Sequence, residues 1–215
     1  MPRSPRLNVP DLIYHVFSRG NNRENVFFEE KDYHRFLDNL ERFSTSFHYD
    51  IYAYCILPNH FHLLLRTHST SLSKIMQVLM TAYTMYANKK YQRVGHIFQG
   101  RFHSIVVEKE TYLLQVFRYI HLNPVEAGLA DAPENYPWSS YQFYLTEINR
   151  IPWLSYTEVL EMFSKDITKQ IQLLKEFTIF EISGTFDPMK EQVRGVLGSN
   201  KFHQKLTKVS NGVRP

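Results

Sequence analysis

Two histidines, separated by one phenylalanine, stand at the start of an apolar run that covers residues 60–65. If this run is a β-strand, its side chains alternate between two faces, so His60 and His62 point to one face and Phe61 to the other. Two imidazoles on one face can bind a single divalent metal ion. A histidine pair alone is more often an ordinary polar strand face, so a metal site here needs further ligands from elsewhere in the chain.

A phenol and a carboxamide share one stripe of the helix predicted for residues 111–123. Leu113, Phe117 and Ile120 cluster on one side of the helical wheel, which is the expected core side. Tyr119 and Asn123 are four residues apart on a separate stripe, so their side chains lie one above the other. A carboxamide oxygen suits a hard divalent ion such as Mg²⁺ or Mn²⁺ as a third ligand.

These two pairs together predict attack of a tyrosine on a phosphodiester. The metal ion would draw charge from the scissile phosphate and orient it. Tyr119 would attack phosphorus, forming a phosphotyrosine link to the 5′ side and leaving a free 3′-OH. Another 3′-OH could reverse the reaction and rejoin strands. A phenol has a pKa near 10, so the ion or a nearby base must assist it.

Other residues offer alternatives for this site. Tyr112 lies on the stripe of Tyr119 and is the second choice of nucleophile, although we expect it to line the DNA path. His121 is expected to be structural or to face DNA. His15, on a predicted strand, is as well explained by a satisfied strand histidine as by a place near the site. Cys55, the single cysteine, excludes an internal disulfide and is expected to be a small buried hydrophobe.

The elements that must position these residues alternate as β-α-β-β-α-β-α. Strands are predicted over residues 11–18, 49–57, 60–67 and 105–107, and helices over residues 29–47, 71–91 and 111–123, the last closed by Pro124. This order is typical of a ferredoxin-like (split βαβ) α+β fold, with an antiparallel four-stranded sheet and helices on one face. Turn signals in residues 125–150 predict a segment that covers the sheet edge.

Two regions are expected, a domain of residues 1–150 and a mostly helical C-terminal extension of residues 151–215 with a disordered tail from residue 207. No apolar run reaches the length of a membrane span, and residues 1–6 lack the apolar stretch of a signal peptide. We therefore expect a cytoplasmic protein.

The net charge of +4 suits an anionic partner such as nucleic acid. Several cations fall in predicted turns and at helix ends, where they could contact DNA phosphates. These candidate DNA-binding residues are Arg19, Arg23, Lys89, Lys90, Arg93 and Arg101.

Five segments, in this order and spacing, resemble the REP-associated tyrosine transposases, a branch of the His-hydrophobic-His single-tyrosine transposases. They are residues 14–21, 57–64, 95–102, 119–125 and 136–141, and the similarity covers about residues 10 to 145. The resemblance implies a ferredoxin-like fold that binds single-stranded DNA hairpins formed by palindromic repeats. It also implies that His60 and His62 are the metal histidines, that Tyr119 is the nucleophile, and that Asn123 is the polar third ligand. A prokaryotic source and association with the nucleoid are implied only by this resemblance, and either a monomer or a homodimer is compatible with it.

A second function class competes with this enzyme. A four-stranded sheet with exposed aromatic side chains also serves non-catalytic binding of single-stranded nucleic acid. Such a module would bind equally well with chelator present, and it has no need of paired histidines and a carboxamide. A metal-dependent hydrolase that uses water is a third possibility, but it would normally need a carboxylate base, and no Asp or Glu lies near His60 and His62 in the sequence.

Overall fold

The computed structural model describes residues 9–148, 150–179 and 186–212. The predicted order of the first seven elements is confirmed, and most of their ends lie within two residues of the predicted ones. In chain order the strands and α-helices are β1 (Ile13–Arg19), α1 (Glu30–Phe47), β2 (Tyr49–Leu57), β3 (His60–Thr67), α2 (Leu72–Lys90), β4 (His103–Val107), α3 (Lys109–Glu126), α4 (Tyr141–Tyr144), α5 (Tyr156–Leu160), α6 (Ile167–Ile179), α7 (Pro188–Glu191), β5 (Val196–Leu197) and α8 (Asn200–Gly212).

The sheet has the strand order β2-β3-β1-β4-β5. Its first four strands pair antiparallel, which confirms the α+β class and the ferredoxin-like arrangement. The sheet also has a fifth strand that the sequence did not predict. Two residues of β5 pair parallel with β4, Val196 beside Val106 and Leu197 beside Val107. A strand of two residues has no periodicity from which it could be recognised.

Helices cover both faces of the sheet. Helices α1 and α2 share one face, where Phe61 packs against Phe36 of α1 with ring centroids 4.9 Å apart, and Phe36 packs against Tyr83 of α2. Helix α3 packs on the opposite face, where the Tyr119 ring meets His62. The prediction of helices on one face therefore holds for α1 and α2 but not for α3. Nearly all residues of β2 and β3 are buried, whichever face they point to, because helices cover both faces of the sheet.

Helix α3 continues past Pro124 and ends at Glu126, so the predicted end at residue 123 is wrong. Pro124 lies in the last turn, so the hydrogen bond that its missing N–H does not make is lost near the end of the helix rather than in its middle. Gly128, with a φ of +67°, ends the helix instead. The amide of Gly128 donates to the carbonyl of Val125, and that of Leu129 donates to the carbonyl of Pro124.

The outer edge of the sheet, strand β2, is covered by residues 138–140. The amide of Ile56 donates to the carbonyl of Trp138 over 2.9 Å, and the amide of Ser140 donates to the carbonyl of Tyr54 over 3.0 Å. This confirms that the turn-rich segment after α3 lies along the sheet edge, where it satisfies backbone groups that would otherwise be unpaired.

The C-terminal part packs against the sheet domain through ion pairs as well as through β5. Glu158 of α5 pairs with Arg66 of β3 over 2.8 Å and with Lys109 of α3 over 2.9 Å. Helix α8 runs to Gly212, beyond the predicted start of the disordered tail, and residues 213–215 lie outside the described residues. The boundary at residue 150 stays a prediction. Of the helices described, none is long and apolar enough to cross a membrane.

Candidate active site

The hairpin between β2 and β3 is held in place by the turn that follows β1. The amide of Gly20 donates to the carbonyl of Asn59 over 2.7 Å, and the amides of Val26 and Phe27 donate to the carbonyl of Pro58. A Cβ atom at Gly20 would clash with the Glu24 carbonyl oxygen, so only glycine permits this close approach. Backbone hydrogen bonds from the turn after β1 therefore hold the hairpin that leads into the two histidines.

The site is a cavity of about 440 Å³ on the α3 face of the sheet. All four residues of the predicted metal and nucleophile set line it, together with residues that the sequence did not single out. The lining residues are His15, Phe17, Ser18, Arg19, Arg23, Asn59, His60, His62, Gln99, His103, Tyr119, Asn123 and Met189.

The paired histidines each use one ring nitrogen for an internal contact. Nδ1 of His60 lies 2.6 Å from Oδ1 of Asn59, and Nδ1 of His62 lies 2.9 Å from Nε2 of His15. In the part of the chain that the structure describes, neither Nε2 atom has a hydrogen-bond partner. The two rings stand edge to face with centroids 5.1 Å apart, and both residues line the cavity.

Burial keeps these imidazoles neutral. Burial, together with a smaller contribution from the nearby charge of Arg19, lowers the pKa of His60 to about 4. Burial also lowers the pKa of His62 well below its usual range, with smaller contributions from His15 and His60. A neutral imidazole has a lone pair, which a metal ligand requires.

His15 belongs to the site, and this resolves the alternative that the sequence left open. Its side chain is fully buried on β1 and bonds His62 rather than being an isolated strand residue. Its ring stacks on His62 with centroids 5.2 Å apart, and the Tyr119 ring meets both imidazoles at 5.8 Å. The sequence placed His15 on a strand, but only the pairing of β1 with β3 brings it beside His62.

Tyr119 and Asn123 lie together as the helix spacing predicted. The Asn123 amide Nδ2 donates to the Tyr119 carbonyl over 2.7 Å, which leaves the Asn123 carboxamide oxygen available as a ligand. Burial raises the pKa of the Tyr119 phenol, as do the charges of Asp187 and Glu126, and a hydrogen bond from the Asn123 side chain acts in the opposite direction. The free protein therefore holds a protonated phenol at neutral pH.

The C-terminal extension contributes to this site. Met189 of α7 lines the cavity, and the charge of Asp187, which caps the same helix by accepting from the Met189 amide, acts on Tyr119. The sequence gave no signal that α7 lies at this site, because α7 is about seventy positions from Tyr119 and no periodicity links the two segments.

An aromatic row crosses the sheet beside the histidines. Phe17 on β1 is the register partner of His62 on β3 and of His103 on β4. The Phe17 and His103 rings are nearly parallel, at 8° with centroids 5.2 Å apart, and His103 is exposed. Flat rings at an open cavity edge can stack against nucleobases.

The six cations expected to contact DNA fall into different environments. Arg19 and Arg23 line the cavity, and Arg19 donates to the side chain of Gln99 over 3.0 Å. Lys90 donates to the carboxylates of Glu29 and Asp32, and Arg93 pairs with Glu24 over 3.0 Å. The two that are exposed away from the cavity are Lys89 and Arg101. Contact with phosphate stays a prediction for all six, and the geometry favours the two at the cavity.

The alternative candidates lie elsewhere. Tyr112 packs against Phe186 and does not line the cavity. His121 is buried, with its Nε2 2.8 Å from the Ser140 hydroxyl, so it is structural. Cys55 is buried as expected, and burial raises the pKa of its thiol.

The residues present fit a divalent ion. Two neutral imidazoles with uncommitted Nε2 atoms and one carboxamide oxygen line the same cavity, and oxygen and imidazole nitrogen are ligands that Mg²⁺ and Mn²⁺ accept. Within the described ranges, no group of three or more His, Cys, Asp or Glu side chains is arranged to hold a metal. Solvent or a substrate oxygen would have to complete the coordination.

Known proteins support the same family. The model of the family described as "Transposase IS200 like" matches residues 8–123. A Haemophilus influenzae protein that carries the name "Putative REP-associated tyrosine transposase" is 30% identical over 111 residues, which are 45% of this chain and 62% of that protein. The chain thus spans less than two thirds of the length of this relative.

A solved structure shares the fold. It is that of a REP-associated tyrosine transposase bound to a REP hairpin, which superposes with a TM-score of 0.58 at 17% identity, over 66% of this chain and 84% of that one. The resemblance identified from the five sequence segments is confirmed. Since the family model covers more than half of the chain, the protein belongs to the IS200-like transposase family.

Proposed function

We propose that this protein cleaves and rejoins single-stranded DNA next to hairpins, in a metal-dependent reaction that passes through a 5′-phosphotyrosine. One observation carries the proposal: the phenol of Tyr119, the carboxamide of Asn123 and the imidazoles of His60 and His62 line one cavity. They come from two separate elements, β3 and α3, and a protein that only bound DNA would have no use for their convergence.

The metal ligands are His60, His62 and Asn123. A Mg²⁺ or Mn²⁺ ion held there would neutralise charge on the non-bridging oxygens of the scissile phosphate. The two imidazoles contribute no charge of their own, because burial holds them neutral. The positive charge of the site then comes from the ion and from Arg19 and Arg23 at the rim, which would hold the flanking phosphates.

Tyr119 is the nucleophile. A bond forms between its phenolic oxygen and phosphorus, the bond from phosphorus to the 3′ oxygen breaks, and the departing oxygen takes up a proton as the 3′-OH. The phenol loses one proton and the departing 3′ oxygen gains one, so the step has no net proton change, and the hydrogen bond from Asn123 favours the deprotonated phenol. No water is consumed, so attack by a 3′-OH on the phosphotyrosine reverses the step and joins strands.

The choice of DNA hairpins as substrate is supported by a relative. The solved protein with the same fold was bound to a REP hairpin, which makes a hairpin the first DNA to test here. Phe17 and His103 would stack against unpaired bases that flank the hairpin.

The test is a covalent-adduct assay. Hairpin DNAs from inverted repeats around the gene, with labelled single-stranded extensions on both sides, are incubated with the protein and Mn²⁺ or Mg²⁺ and resolved on a denaturing gel. We expect a protein-linked band that chelator abolishes and that Tyr119→Phe lacks. Tyr112→Phe is the matched control, because Tyr112 lies on the same helix but outside the cavity, and it should keep the adduct.

Two results would refute the proposal. An adduct that persists in Tyr119→Phe would place the nucleophile elsewhere. Tight hairpin binding by the wild type with no adduct under any metal condition would favour a binding module without catalysis.

A further inference from the structure

We propose that Asn59 and His15 are positioning residues that hold His60 and His62 in the tautomer whose lone pair lies on Nε2. The inference rests on the proposed function, because it takes His60 and His62 as the metal ligands. It goes further by assigning a positioning role to Asn59 and His15, which contact the two histidines rather than being among the proposed ligands. Metal-binding histidines commonly have their second nitrogen oriented by such a partner.

The Asn59 contact fixes the tautomer of His60. The Asn59 amide donates through Nδ2 to the carbonyl of Arg23 over 3.2 Å, which sets its orientation and turns Oδ1 toward His60. That oxygen can only accept, so Nδ1 of His60, at 2.6 Å, must be the donor. A neutral imidazole has one N–H, so the lone pair of His60 is on Nε2.

The His15 contact has the same effect on His62 when His15 is the hydrogen-bond acceptor. One proton lies between Nε2 of His15 and Nδ1 of His62, which are 2.9 Å apart. If it is on His62, the lone pair of His62 is on Nε2 and available to an ion; if it is on His15, that lone pair is used internally. Binding of an ion to His62 therefore requires His15 to act as the acceptor.

Burial and ring stacking hold His15 against His62. The residue is fully buried, and its Nδ1 has no hydrogen-bond partner in the described residues. Its ring stacks on His62 at an interplanar angle of 20°, which limits rotation of both rings. A buried polar side chain with one unsatisfied nitrogen is costly, and orientation of a ligand is the function that this geometry offers.

His121 provides a matched control. It is also fully buried, with one bonded ring nitrogen and one without a partner, but its bond goes to Ser140 rather than to a histidine of the site. Phenylalanine at either position keeps a buried ring and removes the hydrogen bond. The two substitutions should thus cost similar stability and differ only in their effect on metal binding.

The experiment measures Mn²⁺ affinity by calorimetry on the full chain without DNA. We expect Asn59→Ala and His15→Phe each to weaken binding by about 10- to 100-fold. Asn59→Asp and His15→Gln, which keep an acceptor oxygen within reach, should recover most of it, and His121→Phe should bind as the wild type does. Urea unfolding followed by circular dichroism verifies that every variant compared is folded.

A spectrum tests the tautomers directly. Long-range ¹⁵N–¹H correlation of histidine rings should show the Nδ1–H form for His60 without metal and for both histidines with Mg²⁺. In Asn59→Ala, His60 should become a mixture of tautomers. Either readout can overturn the inference: an Nε2–H form at His60 in the wild type, or unchanged Mn²⁺ affinity in both Asn59→Ala and His15→Phe.

Failure of the proposed function would look different. If the wild type and all variants bind no Mn²⁺, the metal-dependent mechanism falls, and the spectra still decide whether Asn59 fixes the ring of His60. If Mn²⁺ binds and the adduct forms, but the variants match the wild type in affinity, the proposed function stands and the positioning role is wrong.

Discussion

Two polar clusters, each built around a buried side chain, lie on opposite sides of the same sheet, and they differ in what their atoms bind. The acidic cluster, formed by Glu29, Asp32, Tyr86, Lys90 and Tyr91, joins α1 to α2. Its central carboxylate, that of Asp32, is fully buried and accepts from Lys90 and Tyr91 over 2.6 Å each, from Tyr86 over 3.0 Å, and from two backbone amides. Its hydrogen-bonding capacity is used internally.

The histidine cluster, formed by His15, His60 and His62 with Asn59, uses only half of its ring nitrogens. In His60 and His62, Nδ1 is bonded and Nε2 is uncommitted among the described residues, at the wall of a cavity. A saturated cluster stabilises the fold, whereas one with open positions beside a cavity can bind something. Substitutions in the two clusters should therefore affect different measurements.

The largest effect is expected for His60→Ala. The half-buried ring bonds only its neighbour Asn59, so its loss should change the free energy of unfolding by less than about 1 kcal/mol. The same substitution removes one of the proposed metal ligands and should slow adduct formation by on the order of 100-fold or more. Single-turnover adduct assays at saturating Mn²⁺ measure this. His34→Ala, at an exposed histidine of α1, is the control, and a rate for His60→Ala within threefold of it would contradict the prediction.

Asp32→Asn should do the reverse. It removes the buried charge that Lys90 and the two tyrosines bind, leaving Glu29 as the one carboxylate of the described residues that pairs with the partly exposed Lys90 ammonium, and we expect a loss of roughly 2–4 kcal/mol in the free energy of unfolding. The rate of adduct formation per folded molecule should stay unchanged. Urea unfolding measures the first quantity, with Asp38→Asn, at an exposed position of the same helix, as control.

The stability lost in Asp32→Asn should depend on pH. Burial alone would raise the pKa of Asp32, but hydrogen bonds from Lys90, Tyr91 and two backbone amides outweigh it and lower the pKa below its usual 3.8. A lowered pKa in the folded state stabilises the fold fully above the unfolded value and is lost as the pH falls through the folded value. The gap between wild type and Asp32→Asn should be constant from pH 7 to about pH 5 and shrink below about pH 3.9. A gap that widens in acid would contradict this.

The sequence predicted the histidine cluster in part and the acidic cluster not at all. Residues His60 and His62 are two apart on one strand and Tyr119 and Asn123 four apart on one helix, so local periodicity was enough to pair them. His15 and Asp187 reach the same site only through strand pairing and through the packing of the C-terminal extension. No periodicity encodes such long-range contacts.

The elements themselves were predictable because their hydrophobic periods are regular. The placement of α3 on the opposite face was not, because its apolar stripe shows that it packs against a sheet but not against which face. The end of α3 was also mispredicted from Pro124. Proline generally disfavours a helix, but here it lies in the last turn, and the helix ends at the turn that contains Gly128.

A smaller effect should distinguish the cations of the two regions. Arg19 lies at the cavity with a neutral partner, Gln99, whereas Lys90 is held within the acidic cluster. Arg19→Gln should weaken hairpin binding severalfold and reduce the slope of log affinity against log salt by about 1, the value for one lost phosphate contact. Lys90→Gln should leave that slope unchanged. Fluorescence anisotropy from 50 to 300 mM salt measures both, and equal slopes for the two variants would refute the distinction.

The smallest effect is expected at Asp187, a carboxylate that acts on the site without belonging to either cluster. Its charge helps to raise the pKa of Tyr119, so less phenolate is present at a given pH. Asp187→Asn removes the charge but keeps a residue that caps α7 equally well. The rise of the adduct-formation rate with pH should then move to lower pH by less than about one unit, a gain below about tenfold at pH 8. Rates from pH 6 to 10 measure this. A shift to higher pH would mean that Asp187 assists removal of the phenol proton, because loss of a proton acceptor slows the reaction while loss of a repelling charge speeds it.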